Sequence, residues 1–342
     1  MRKLTQKLVL SVVTMALVVV ALGTSTFAWF TLQNTASLGN FTADVTAGEG
    51  IEVSLGTFTR AAGVDGNLYT SDDVITYELG ASPTWYTTIP GTVIEDRLEL
   101  MYGSQLTLKD VTSDDGKIMN RRDLVLGFTQ VDGYTGNFIE LKLWFRSSSA
   151  KTITLDNLVI TGDSKPWKVD TAHKAANTNA FTDAADLGVG TNIRVAAWTA
   201  ARVSVFGSTL GGVYQRAAVS GTSFEDTVYN SDVLPEVSYE LNKQFGAASY
   251  YAVKTNGAIV APVSDPINTT IPDAVKLDAT GKINGTAADA VIGQNLVVLT
   301  GADNVFTGQI TVRVWIEGWD ADLYDAIFKT NLSVSMKFGV AA

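Results

Sequence analysis

The chain has no cysteine, a single histidine and no surplus of basic charge. Without cysteine there is no disulfide scaffold, no thiol catalysis, no Cys-ligated zinc and no iron–sulfur chemistry. Larger exported proteins fold without disulfides, and 342 residues suffice to bury a core unaided. The lone His173 lies in the polar stretch VDTAHKAANTN. One histidine cannot form the two-histidine helix motif of the zinc proteases. A Ser–His–acid triad would need it too, yet no G-x-S-x-G turn is present. A solvated loop histidine is the simpler reading.

Basic residues number 25 against 35 acidic ones, for a net charge of −10. No basic patch interrupts this balance, which argues against a nucleic-acid partner. The acids gather at Asp72-Asp73, Glu95-Asp96, Asp114-Asp115, Asp320 and Asp322. None of these follows the alternating spacing and distal glutamate of an EF-hand loop. Loop aspartates ordinarily cap turns through their own side chains. No cofactor is implied; calcium held with the help of loop carbonyls stays open without a motif. No particular pair of carboxylates stands out for glycoside hydrolysis, and no glycine-rich phosphate loop occurs. Trp144, Trp315 and Trp319 could form a carbohydrate platform, although packing within a sandwich is the commoner use of such residues. Four N-x-S/T sequons match chance in a chain rich in Thr and Asn. No repeat of fixed period appears.

What the chain does have begins at its first residue. Arg2, Lys3 and Lys7 form a positive start, and no acid precedes Asp44. Leu8 to Leu22 is an apolar run of signal-peptide length, and Thr26-Phe27-Ala28 sets small residues at a cleavage site between Ala28 and Trp29. Residues 1–28 therefore read as a signal peptide or as a membrane-anchor helix. Uncleaved, the uncharged stretch through Phe30 is long enough to cross a bilayer at residues 8–30. Cleaved, the chain keeps 22 of its 25 basic residues against all 35 acids, a net charge near −13.

Beyond the boundary, period-two alternation dominates. It marks strands at 51–55, 138–146, 151–161, 192–206, 309–317 and 331–338. In FIELKLWFR, Ile139, Leu141, Leu143 and Phe145 share one face; in NLSVSMKF, Leu332, Val334, Met336 and Phe338 do. Convincing helical patterns are few, the best being the short DADLYDAIF at 320–328. The expected fold is all-β, a jelly-roll-like antiparallel sandwich over 51–342. Turn-rich insertions are expected near 61–123 and 207–300. Residues 29–50 read as an extended N-terminal segment suited to act as a donor strand. Trp29, Phe30, Leu32, Leu38, Phe41, Ala43 and Val45 carry its apolar character.

The boundary residues Gly23-Thr24-Ser25-Thr26-Phe27-Ala28-Trp29-Phe30, followed by Gly39-Asn40-Phe41-Thr42-Ala43, resemble the TasA/camelysin family of exported matrix proteins. Those proteins carry a signal processed by a SipW-type signal peptidase. The chain departs from the pattern in having Thr31-Leu32-Gln33 where an aspartate often stands, and Ala43-Asp44 in place of Ala-Gly. The metalloprotease activity ascribed to some camelysin-like proteins finds no motif here. The resemblance implies a non-enzymatic structural protein on the surface or outside of a Gram-positive-type bacterium. It would be released by signal peptidase and self-associate head-to-tail into a homopolymer by donor-strand complementation. Two alternatives remain: a membrane-anchored surface-layer or viral coat sandwich that keeps its helix, and a secreted carbohydrate-binding domain.

Overall fold

The computed structural model describes residues 41–69, 73–103, 106, 108, 110–113, 116–123, 127–131, 133–134, 136–174, 186–216, 250, 253–254, 275–277, 295–317, 327 and 330–341. The signal segment, the cut at Ala28–Trp29, Trp29, Phe30, Leu32 and Leu38 lie outside them. So do most of 207–300, nearly all of 320–328, Trp319 and the acids at 72, 114, 115, 320 and 322.

The first half of the fold runs β1 (Phe41–Ala47), β2 (Glu52–Ser54), β3 (Thr57–Ala61), β4 (Val74–Glu78), β5 (Thr88–Ile89) and helix α1 (Gly91–Tyr102). It continues through β6 (Asp110–Thr112), β7 (Met119–Asp123), β8 (Gly127–Val131), β9 (Ile139–Ser147) and β10 (Thr152–Thr161). Four short strands follow: β11 (Lys165–Lys168), β12 (His173–Lys174), β13 (Asp186–Leu187) and β14 (Asn192–Val195). After the single-turn helix α2 (Ala197–Ala200) come β15 (Ala201–Phe206), β16 (Gly211–Arg216) and β17 (Val275–Leu277). The chain closes with β18 (Val297–Val298), β19 (Thr300–Ala302), β20 (Val305–Glu317) and β21 (Leu332–Val340).

These strands make an all-β, sandwich-like fold. One sheet has the order β18-β10-β21-β1-β5. A larger, ten-stranded sheet is built around β20, which pairs antiparallel with β9 along residues 306–314 and with β15 along residues 311–316, and three two-stranded pairs (β3-β4, β11-β14, β12-β13) stand apart from both. Alternation explains the placement: Ile310, Val312 and Val314 of β20 meet Leu141, Leu143 and Phe145 of β9 in one buried core with Val334, Met336 and Phe338 of β21. Phe145 and Phe338, one from each sheet, meet edge to face with ring centroids 5.0 Å apart. Among the described residues the sheets are antiparallel except at three pairings, β1 with β21, β16 with β17 and β20 with β6, where the sequence pattern suggests antiparallel strands throughout.

The strand at 151–161 carries a bulge between Leu155 and Asn157. The apolar residues of TITLDNLVI change parity there, and the extra residue lets Ile153, Leu155, Leu158 and Ile160 all face inward. The other face of β20 is covered only towards its C-terminal end. Trp315 packs with Val111, Met119, Phe138 and Val213 in a second buried cluster, beneath strands carried round by β6 and β7. The insertion near 61–123 is more ordered than a turn-rich loop, for it contains the twelve-residue helix α1. Ile94, Leu98, Met101 and Tyr102 form its buried stripe, spaced as helical geometry requires.

Candidate functional site

The site that the sequence singles out is the N-terminal segment, and its described part is β1. This strand occupies an interior slot of the five-stranded sheet. On one side it runs parallel to β21, from Phe41 opposite Leu332 to Ala47 opposite Phe338. On the other it meets β5 antiparallel through Val45–Ile89 and Thr46–Thr88. Ala43, Val45 and Ala47 point into the core and are buried, Val45 completely. The outward residues are polar, and Asp44 and Thr46 are tied down. The Ser335 hydroxyl donates to the Asp44 carboxylate at 2.8 Å, and the Thr88 hydroxyl donates to that of Thr46 at 3.3 Å. Because inward and outward residues alternate, a slip of one place would bury Asp44 and expose Val45.

The slot is shaped to a narrow strand. Helix α1 begins where β5 ends, and a Cβ on Gly91 would lie 3.2 Å from the carbonyl oxygen of Ala43. At the far end the chain turns through Gly48-Glu49-Gly50. The amide of Gly48 donates to the carbonyl of Phe338 at 2.7 Å, and a Cβ there would stand 2.9 Å from the same oxygen. Gly50 has φ of +75°, a left-handed conformation that favours glycine. Thus Phe41, Ala43 and Val45 do share one strand, and Ala43 and Val45 share one buried face, but within this chain's own sheet.

The remaining candidates fall into structural positions. Trp144 is buried, with Tyr77 packed edge-on at 5.4 Å. Trp315 is buried and donates its indole N–H to Glu317 at 3.0 Å. Neither offers an open aromatic face. Asp73, expected as a turn cap, accepts a 2.7 Å hydrogen bond from Arg60 in an ion pair with both side chains almost fully buried. Glu95 and Asp96 stand on the exposed face of α1 rather than in a turn. His173 belongs to the two-residue strand β12, paired with Leu187, not to an open loop. Among the described residues no group of three His, Asp or Glu side chains is placed to hold a metal ion.

Sequence reading missed two tyrosines that close a sheet edge. The Tyr77 hydroxyl accepts from the amide of Lys142 at 2.9 Å and donates to its carbonyl at 3.2 Å. The Tyr102 hydroxyl accepts from the amide of Glu140 at 2.9 Å and donates to the carbonyl of Gly133 at 2.7 Å. Burial pushes both phenols above their ordinary range, Tyr102 strongly so. The helical spacing that buries Tyr102 was the one available signal; nothing local marks Tyr77. Set against models of known families, against curated proteins and against solved structures, the chain matches none of them.

Proposed function

We propose that this chain is a non-enzymatic, exported structural protein that assembles head-to-tail into extracellular or cell-surface filaments through its N-terminal segment. The observation that carries this reading is the seating of β1. Its sheet partners are distant in sequence: Ser335, bonded to Asp44, stands 291 positions away. Among the described residues no hairpin joins β1 to either neighbour, and the chain leaves β1 through the turn at 48–51. A strand held by non-local pairing alone can be replaced by the same strand of another copy without breaking a local turn. Exchange of this kind is a low-cost route to association, and a head-to-tail version does not close on itself. An extended segment completing a sheet gains backbone hydrogen bonds along its length and specificity from alternate side chains. The export-type N-terminus and its resemblance to the TasA/camelysin boundary supply the setting.

The experiment removes residues 29–45 from the processed protein and examines it by negative-stain microscopy. Loss of filaments that the intact processed protein forms is the expected result. Unchanged filaments would overturn the proposal. Sequencing the N-terminus of the native protein accompanies the test, and a start at Trp29 is expected.

A further inference from the structure

We propose that β6, β7 and β8 form a strap that lifts as a unit from the outer face of the ten-stranded sheet while the core between the two sheets stays folded. Such an opening is separate from assembly through the N-terminal strand and does not require it.

The face beneath the strap has the composition of a wet one. In β15, Val203 and Val205 enter the main core, while Arg202 and Ser204 lie on the opposite face. In β20, Val312 and Val314 enter the core, and Arg313, Trp315 and Glu317 lie on the other side. Register lines these residues up across neighbouring strands. Glu140, Arg313, Ser204 and Val213 stand in one row, and Trp315, Arg202 and Gln215 in the next. Arg202, Ser204, Gln215 and Glu317 are nonetheless buried, and the Arg313–Glu140 ion pair at 2.7 Å is mostly so. Apolar-in, polar-out alternation belongs to a sheet with one solvated face. Holding charges away from water has a cost that pairing only partly offsets.

The cover is lightly attached. β6 joins β20 at two residue pairs, Ile316–Asp110 and Glu317–Val111, just past the end of β9. Among the described residues β7 pairs only with β6 and β8, and β8 only with β7. The strap brings Val111 and Met119 to the cluster with Phe138, Val213 and Trp315, a small contact beside the main core. At the hairpin tip the Gly116 carbonyl accepts from the Ser204 hydroxyl at 2.8 Å and from the Arg313 guanidinium at 3.4 Å. The Lys117 ammonium stands 4.7 Å from the Phe206 ring centre. The tip also keeps its own shape: the Ser113 hydroxyl donates to the Ile118 carbonyl at 2.6 Å and accepts from the Gly116 amide at 2.9 Å. A segment with its own internal bonds and few buried apolar contacts outside itself opens at lower free energy than the whole fold.

Gly116 sets how closely the tip can sit. Its φ is +67°, and a Cβ there would lie 2.5 Å from a Val213 methyl and 2.8 Å from the Ser204 Cβ. A side chain at this position pushes the tip off the sheet without touching the core side of β15.

The test uses the full chain, which has no cysteine, so that one introduced thiol reports alone. Ser204→Cys and Val213→Cys each set a thiol beneath the tip, and Val203→Cys sets one on the core side of β15; all three positions are buried. Under native conditions the two outer thiols should react with a thiol reagent at least about tenfold faster than the inner one. Their rates should also climb less steeply with urea, since less surface opens. Val213→Cys keeps the Ser204 hydroxyl, so fast labelling there does not come from losing its bond to Gly116. Adding Gly116→Ala should speed both outer thiols further and leave Val203→Cys unchanged. Outer and inner thiols that react at one rate with one urea slope would overturn the proposal, as would Gly116→Ala speeding all three alike. If Gly116→Ala does not fold, the comparison of outer with inner thiols in the parent background decides. Filaments lost or kept on N-terminal deletion leave these outcomes unaffected.

Discussion

The carboxylate of Asp44 accepts the hydroxyl hydrogen bond of Ser335 at 2.8 Å, between two residues that stand opposite each other across the parallel pair β1–β21. The contact is half-buried, so its net worth is that of an ordinary charge-assisted bond. Replacing Asp44 with alanine should lower stability by about 1–2 kcal/mol. A double-mutant cycle with Ser335→Ala, read by urea unfolding, should return most of that cost as coupling. Independent, additive effects would show that the register is held elsewhere.

Val45 is fully buried between the sheets and faces Ile89 and Met336 in register. Cutting it to alanine removes two buried carbon atoms and should cost about 1.5–2 kcal/mol. Placing aspartate there puts a carboxylate in the core without a partner, and β1 should leave its slot. Hydrogen exchange along Leu332–Phe338 would report the emptied edge.

Arg60 and Asp73 are a buried ion pair beneath the β3–β4 hairpin. Arg60 also donates to the carbonyl of Tyr134 at 3.0 Å, and Asp73 accepts the amide of Tyr69 at 2.7 Å. Removing one partner strands a charge, so Asp73→Ala should destabilise by about 3–5 kcal/mol. The double change Arg60→Met with Asp73→Leu should cost less than either single change. Thermal unfolding of the three variants decides the order.

Alkaline pH gives a test with a definite sign. Burial raises the Tyr77 and Tyr102 phenols above the ordinary value of 10.0 in the folded chain. Above about pH 10 the unfolded chain releases these protons while the folded chain keeps them, so folding loses stability as pH rises. The contribution is whole below about pH 10 and disappears as pH passes through the folded values. In a pH titration, tyrosinate absorbance from these two rings should appear together with loss of near-ultraviolet circular dichroism. Y77F with Y102F should remove that part of the alkaline transition.

Much of the sandwich was legible because strands buried on one face write their environment at every second residue. FIELKLWFR and NLSVSMKF became β9 and β21 within a residue or two of their patterned bounds. The segment 192–206 was less clear, since Ala196 to Ala201 is buried at every position and shows no period-two alternation; a one-turn helix sits there between β14 and β15. Helix α1 was written in the spacing of Ile94, Leu98, Met101 and Tyr102, yet turn signals on both sides hid it. Asp73 does cap its turn through the amide of Tyr69, but its ion-pair partner Arg60 lies across a hairpin, which no local pattern records.

The sequence alone determined the all-β class, the inward faces of the long strands and the absence of cysteine chemistry. Those properties follow from side-chain type and period, which are local. Tertiary structure decided which strands lie together: the parallel seat of β1 on β21, the bulge that realigns β10, and the phenols that close β9. Each of these depends on a hydrogen-bond partner tens to hundreds of residues away. Backbone groups look the same in every residue, so the identity of a distant partner leaves no mark in the local pattern.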